Sequence, residues 1–277
     1  MIECKQPFSV AMAVYRNDNA VDFAEAVRSI YDSQIVKPSE IIIVIDGPIP
    51  ESLETTLESL KKDIGIIKFV RFEKNQGHAA VRQAGLEAAS FDLVAVMDAD
   101  DISVPQRFEL QLEAFAKHPE ASVIGGQIKE FIEKPSNIVG ERIVPEKDDE
   151  IKLYLKSRCP MNLVTVMYRK KDVAAVGGFM DWYCEEDYYL WIRLAENDYK
   201  FFNVSDNLVN VRVGKEMYQR RGGWKYFKSE ARLQAYMLKH GVISLPRYIY
   251  NTLGRFVVQV AMPNRLRGFI FQKLFRK

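Results

Sequence analysis

Asp98-Ala99-Asp100-Asp101 places three carboxylates within four residues, directly after the apolar run Leu93-Val94-Ala95-Val96-Met97. At neutral pH these groups repel one another. A divalent cation relieves the repulsion, and oxygen-rich carboxylate sites suit hard or borderline ions such as Mg²⁺ and Mn²⁺. The apolar run has the length and the branched content of a buried parallel strand. Ligands of open α/β sheets bind outside the carboxyl ends of the strands, where this cluster falls. The alternative reading of the same four residues is an Asp-rich turn leading into a helix near Pro105.

The elements that must position the cluster are legible from periodicity. Phe8–Val14, Glu40–Ile45, Ile66–Phe72 and Leu93–Met97 read as strands, and Ala20–Ser33, Glu51–Asp63 and Gln76–Ala89 as the helices between them. Strands separated by such helices predict βαβ units, a parallel sheet and right-handed crossovers. Beyond Asp101 the pattern loosens. Helices are expected over Pro105–Lys117, Lys147–Lys156 and Glu186–Glu196, and strands over Ser122–Ile128 and Val164–Tyr168. Lys200–Val204 and Asn207–Val213 read as a short hairpin, and the chain from Gly223 onward as helices broken at Pro246 and Pro263.

Composition bounds the possibilities. A chain of 277 residues with 48% hydrophobic content supports one large core, or one domain with an appended subdomain. No run approaches the roughly 20 apolar residues of a membrane span, and residues 1–20 carry no secretory pattern. Cys4, Cys159 and Cys184 are odd in number and far apart, which fits a reducing cytoplasm better than a disulfide framework. His78, His118 and His240 are too scattered to suggest a zinc site. The net charge of +2 hides an asymmetry: Ala231–Lys277 holds nine basic and no acidic residues, leaving the rest of the chain at −7.

Four polar residues share one position, just past the carboxyl end of an expected strand: Tyr15, Asp46, Asn75 and Asp98. In a doubly wound sheet that edge brings them together in space. A ring can stack on a base, and a carboxylate can accept from a base N–H, so the set suits a nucleotide. Taken singly, Asp46-Gly47-Pro48 also reads as an ordinary turn and Tyr15 as a rim aromatic.

The segments Phe8–Asn17, Glu40–Gly47, Asn75–Ala84 and Val94–Asp101 resemble, in order and spacing, the successive motifs of the family 2 glycosyltransferases. The resemblance covers about residues 7–222. It implies an α/β protein of the GT-A kind, Rossmann-like, with a mostly parallel central sheet and helices on both faces. It also implies transfer of a sugar from a nucleotide diphosphate donor with inversion at the anomeric carbon. On that resemblance Tyr15 and Asp46 contact the base, Arg82 lies near base and ribose, and Asp98 binds the ribose. Asp100 holds a Mn²⁺ or Mg²⁺ ion on the diphosphate (the DxD motif), assisted by Asp101.

Glu185-Glu186-Asp187 precedes a helix whose Leu190, Trp191 and Leu194 share one face. An acidic residue here can simply complement the helix dipole. The segment also resembles the family's Glu-Asp motif, which implies Asp187 as general base on the acceptor hydroxyl, with Glu186 beside it. Arg158–Asn162, Thr165–Tyr168, Gly177–Phe179 and Met217–Gly223 resemble the members that build bacterial capsule, exopolysaccharide of the amylovoran type, or O-antigen. Leu163 departs from that pattern, which has His after the Asn. Arg220 and Arg221, beside two glycines, suit a cationic loop over the diphosphate; two exposed arginines also read as simply solvated.

In the basic tail, Ile249, Leu253, Phe256, Val257 and Val260 form one apolar stripe, and Leu266, Phe269, Ile270 and Leu274 another. Such stripes either pack on the parent domain or lie on anionic lipid. Nucleic acid is not expected as a partner, since the acidic body would oppose it.

The expectation is therefore a metal-dependent inverting glycosyltransferase. It would use a UDP-sugar donor and a lipid-linked saccharide acceptor, and would be peripheral on the cytoplasmic face of a bacterial plasma membrane. Residues 1–103 form its nucleotide-sugar half, 104–222 its acceptor and catalytic half, and 223–277 a basic helical extension that meets the membrane through 231–277. A sugar nucleotidyltransferase and a non-catalytic nucleotide-sugar-binding subunit are the rivals. Phe8–Asn17 lacks the glycine-rich loop of the first, and the presence of both Asp100 and Asp187 argues against the second.

Overall fold

The computed structural model describes residues 6–214 and 222–262. Its first part runs β1 (Phe8–Val14), α1 (Ala20–Ser29), β2 (Glu40–Ile45), α2 (Glu51–Asp63), β3 (Ile67–Arg71), α3 (His78–Ala88) and β4 (Leu93–Met97). These four strands are mutually parallel in the order β3-β2-β1-β4, with Val10 opposite Ile41 on one side and Ala95 on the other. Every residue of β2 is buried. That follows from helices on both faces: Ile41, Ile43 and Ile45 point into one core with α1 and α2, while Ile42 and Val44 point into a second with α3 and α7 (Glu186–Glu196). Each such buried side chain contributes about 1.5–3 kcal/mol.

The second part widens the sheet. β5 (Ile102–Ser103), α4 (Arg107–Lys117), β6 (Ala121–Phe131), β7 (Ile138–Arg142), α5 (Asp148–Leu155), β8 (Met167–Arg169) and α6 (Lys170–Ala175) precede α7, and β9 (Lys200–Arg212) follows it. The sheet continues past β4 as β8-β6-β9-β5, with β7 beside β6. β8 is antiparallel to both β4 and β6, and carries Tyr168 into the middle of the sheet. The expected strand over Val164–Tyr168 is shorter than its sequence suggests, because Leu163–Thr165 closes a 3₁₀ turn first.

The expected hairpin over 200–213 does not form. Lys200–Arg212 is one strand, parallel to β6, and Ser205-Asp206 lie in a bulge. Asn203 pairs with Gly125 and Asn207 with Gln127, so four steps on β9 match two on β6. The polar pair that looked like a turn is extruded because both flanking segments find partners on the same long strand. Short β5 and β7 and helix α6 were not legible, since they bury few side chains and depend on neighbours for pairing.

The extension comprises α8 (Trp224–Lys239) and α9 (Leu245–Phe256), closed by a π-helical turn over Val257–Ala261. The break between them comes at Gly241, whose φ is +72°. Pro246 opens α9 in its first turn, where its missing N–H is not needed, instead of breaking a helix. The expected break at Pro263, and the apolar stripe from Leu266 to Leu274, lie outside the described residues.

Candidate active site

A cavity of about 590 Å³ opens at the carboxyl ends of β1, β2 and β4. Tyr15, Asp46, Asn75, Arg82, Asp98 and Asp100, which are far apart in sequence, all line it. Parallel strands that end in register deliver them to one edge.

The turn after β1 is built locally. The Asp18 carboxylate accepts from the Tyr15 N–H at 2.8 Å, and Asn19 caps α1 by accepting from the N–H groups of Val21 and Asp22. Burial pushes the Asp18 carboxyl up to about 7 against the pull of the Tyr15 N–H, and Asp100 and Asp98 add repulsion. Asp18 was not singled out from sequence, although it follows the same strand edge as Tyr15. His78, Tyr168 and Phe179, which lie in the resembling segments but carry no expected site role, also line the cavity. The last two arrive from β8 and the loop after α6, which no local pattern connects to this edge.

Asp46 and Asn75, expected as separate ligands, bind each other. Asn75 Nδ2 donates to Asp46 at 2.7 Å, and the N–H groups of Gln76 and Gly77 donate at 2.7 and 3.1 Å. Three of the roughly four lone-pair sites of the carboxylate are thus taken by the turn that leads into α3. Gly47 is required here: its φ is +83°, and a Cβ would meet the Asn75 nitrogen at 2.6 Å.

The acidic loop divides by direction. Asp98 and Asp100 face the cavity. Asp101 is buried and accepts from the Arg212 backbone N–H at 2.8 Å, tying the loop to the end of β9. Burial and repulsion from Asp98 push the Asp100 carboxyl up to about 6, and burial with Asp100 and Asp98 pushes Asp101 well above its usual range. Two arginines answer this charge. Arg212 Nε donates to the Asp100 carbonyl at 3.0 Å. Arg107, wholly buried beneath the loop, donates to the Val96 carbonyl at 2.7 Å, and burial holds its pKa down at about 9 against the attraction of Asp98 and Asp101.

Two cavity-facing carboxylates that repel each other suit a hard divalent cation whose remaining ligands are phosphate oxygens and water. Among the described residues no three His, Cys, Asp or Glu side chains converge as a complete metal cage.

At the N-terminus of α7 three successive carboxylates point in three directions: Glu186 and Asp187 are set apart by the helical step of about 100° per residue, and Glu185 sits on the non-helical cap. Glu186 pairs with Arg82, whose other nitrogen lies 3.7 Å from Asp98. Glu185 turns toward Glu230 and Arg255 of the extension, and burial with the repulsion of Glu230 raises its pKa well above the usual range. The Asp187 carboxylate meets the Cys159 thiol, with Sγ 3.7 Å from Oδ2. Asp187 does not line the cavity itself; the Arg82–Glu186 pair fixes its helix end beside it.

Asn162 is buried and structural, donating to the Gly126 carbonyl at 2.8 Å and accepting from Arg142 at 2.9 Å. Leu163 follows in the 3₁₀ turn. Arg220 and Arg221 lie outside the described residues.

Residues 9–177 match the sequence profile described as Glycosyl transferase family 2. The UDP-Gal:alpha-D-GlcNAc-diphosphoundecaprenol beta-1,3-galactosyltransferase of Escherichia coli is 34% identical over 270 residues, covering 98% of this chain and 97% of the relative. The amylovoran biosynthesis glycosyltransferase AmsE of Erwinia amylovora is 32% identical over 96% of this chain and 98% of its own. Among solved structures, S. aureus TarS 1-349 in complex with UDP-GlcNAc superposes with a TM-score of 0.65 at 17% identity, over 97% of this chain and 76% of that one. This chain spans 44% of the longer TarS chain. The layered sheet is accordingly that of the GT-A fold.

Proposed function

Because the chain belongs to glycosyl transferase family 2, we propose that it moves a hexose or N-acetylhexosamine, galactose first among them, from a UDP-sugar to a hydroxyl of a lipid-linked oligosaccharide during synthesis of a bacterial surface polysaccharide. The observation that carries this reading is the single cavity lined by Tyr15, Asp46, Asn75, Arg82, Asp98 and Asp100, with the Asp187 helix pinned at its side through Arg82 and Glu186. The similarity to an enzyme named for UDP-Gal and a diphosphoundecaprenol-linked sugar supports the choice of donor and acceptor.

In this reading Tyr15 stacks on the uracil, and Asp46 holds the Asn75 turn that borders the base, with one lone-pair site left to accept from it. Asp98 takes the ribose, and Arg82 carries positive charge toward the donor. Asp100 holds Mn²⁺ or Mg²⁺, with the buried Asp101 fixing the loop. The ion, when bound, neutralises charge on the leaving diphosphate. Arg220 and Arg221, outside the described residues, add cationic charge for the diphosphate.

The acceptor oxygen attacks the anomeric carbon from the face opposite the diphosphate. A new C–O bond forms as the bond to the diphosphate oxygen breaks, and UDP leaves with the electron pair. Asp187 takes the hydroxyl proton, help that is typically worth roughly 10²–10⁴-fold. In-line displacement on an α-linked donor yields a β linkage. The protein works as a peripheral enzyme at the cytoplasmic face of the membrane that holds its acceptor, reaching it through 231–277. No helix of the described residues is long and apolar enough to cross a membrane.

A donor panel screened by thermal shift with Mn²⁺, followed by UDP release, tests the reading. A ligand at 100 times its dissociation constant adds about 2.7 kcal/mol of apparent stability, so a cognate UDP-sugar should stand out from GDP- and CDP-sugars. Formation of pyrophosphate from UTP and a sugar phosphate, without UDP release, would instead indicate a nucleotidyltransferase.

A further inference from the structure

Helix α9 has two dissimilar faces. On the inner face Asn251 is buried and donates to the Lys156 carbonyl at 2.9 Å and to Gln234 at 2.8 Å. Arg255 donates to the Ser157 carbonyl at 2.7 Å and pairs with Glu230 at 3.0 Å. On the outer face Leu245, Ile249, Tyr250 and Leu253 are 47–73% exposed, and Val257 of the following turn is 53% exposed, whereas Phe256 at the edge packs on Trp224 and Phe227 of α8. Their spacing of three, four and seven residues makes a continuous apolar stripe.

The inner contacts fall at a sensitive place. Helix α5 has only eight residues and ends at Leu155, leaving carbonyls without partners in their own helix. Three successive carbonyls at this end are met from outside: Leu155 by the Tyr188 hydroxyl of α7, and Lys156 and Ser157 by α9. Two residues further on, Arg142 holds the Cys159 carbonyl at 2.6 Å, and the Cys159 thiol meets Asp187. Helix α9 therefore caps the segment that leads to the general base named above. A shift of α9 must either break buried hydrogen bonds or carry the 156–159 loop with it.

The occupant of the outer face is set by charge. Residues 231–277 hold nine basic side chains and no acid, whereas the rest of the chain is net −7. An anionic bilayer repels that acidic remainder and attracts the basic C-terminal segment, four of whose nine basic residues (Arg232, Lys239, Arg247 and Arg255) lie among the described residues. Exposed Tyr250 suits the headgroup level, where amphipathic rings collect.

We propose that the outer face of α9 lies in an anionic bilayer, and that its inner face transmits this seating to the 156–159 loop, so that the membrane activates the enzyme as well as anchoring it. The inference rests on the reading of Asp187 as the base, but its binding and exchange tests do not depend on turnover.

Three measurements on the full chain test it: flotation with phosphatidylglycerol–phosphatidylcholine vesicles, amide hydrogen exchange over 156–162, and UDP release on a water-soluble acceptor. The wild type should float at low salt, exchange more slowly over 156–162 when bound, and turn over severalfold faster. Ile249→Ser with Leu253→Ser should abolish flotation, slowed exchange and stimulation together, while the vesicle-free rate stays unchanged. Asn251→Ala should float yet show neither slowed exchange nor stimulation. Flotation of the wild type with no change in exchange over 156–162 would overturn the coupling. No flotation at low salt would overturn the bilayer as occupant, and a dimer that the serine variants dissociate would assign the stripe to a second copy of the chain. Slowed exchange without UDP release from any donor would leave the coupling intact and count against the glycosyl transfer.

Discussion

Arg82 of α3 and Glu186 of α7 form an ion pair across 104 residues of sequence, with the two side chains only 15% and 10% exposed. The pair joins the α3 side of the cavity to the helix that carries Asp187. Burial raises the Glu186 carboxyl, and Arg82 opposes that rise. Replacing Arg82 by Met should therefore leave Glu186 protonated to a higher pH and remove a charge from the cavity. A charged hydrogen bond is worth about 1.5–3 kcal/mol, so UDP affinity measured by calorimetry should fall roughly 10- to 100-fold. Unchanged affinity would confine Arg82 to holding α7.

Asp187 and Glu186 are adjacent but face different partners, so their substitutions should separate. Asp187→Asn is expected to lower kcat by roughly 10²–10⁴-fold with donor affinity nearly unchanged. Glu186→Gln should be milder in kcat and act through the donor KM, because it frees Arg82. A reversal of that order in steady-state kinetics would move the base to Glu186.

Asp100→Asn should remove Mn²⁺-dependent UDP binding and nearly abolish transfer, while the circular dichroism of the fold is kept. Equal UDP affinity with and without metal, in both variant and parent, would contradict the assignment of an ion to this loop.

The same loop dictates a pH dependence. In the folded protein burial and carboxylate repulsion push the Asp100 carboxyl up to about 6 and that of Asp18 up to about 7, against a usual value of 3.8. The folded state thus holds protons that the unfolded chain has released, and stability from these groups falls as pH rises through that window. Below about 4 both states are protonated and the penalty vanishes. Metal binding needs the ionised forms, so Mn²⁺ affinity should climb from about pH 5 to about pH 8. Thermal melts of the metal-free protein should show the opposite trend, flattened in an Asp18→Asn, Asp100→Asn double variant. A slope unaltered by that double substitution would place the titrating groups elsewhere.

Glu40 shows the reverse sign and a purely structural role. Burial would raise its carboxyl, but hydrogen bonds from Lys68, Ser9 and Ser90 hold it down at about 2. Its contribution is present above about 4.5 and is lost as pH falls toward 2. Glu40→Ala should cost roughly 2–4 kcal/mol in denaturant unfolding, since Ser9 and the Ser90 N–H lose their acceptor. Donor affinity should not change, because Glu40 lies at the opposite end of β2 from Asp46.

Local patterning of the chain was enough to specify the layered α/β architecture and the edge at which the candidate site lies. The runs that became β1, β2 and β4 are apolar on both faces and bounded by turn residues, so their ends fall at Val14, Ile45 and Met97 as periodicity predicts. A parallel sheet then has only one edge at which Tyr15, Asp46 and Asp98 can gather. Helices α2 and α7 were equally plain, because each carries a full apolar stripe that must be buried.

Which way each polar side chain turns depends on contacts made only in the folded chain. Asp101 and Asp100 are adjacent and chemically identical, yet Arg212 draws one inward while the other faces the cavity. Asp46 and Asn75 became partners of each other, Glu185, Glu186 and Asp187 fanned toward three different elements, and the expected hairpin straightened into β9 along β6. Local periodicity reports whether a residue is buried, since burial depends on the face of its own helix or strand. Polar direction depends on which donor or acceptor a distant segment brings within about 3 Å, and that distance exists only once the chain has folded.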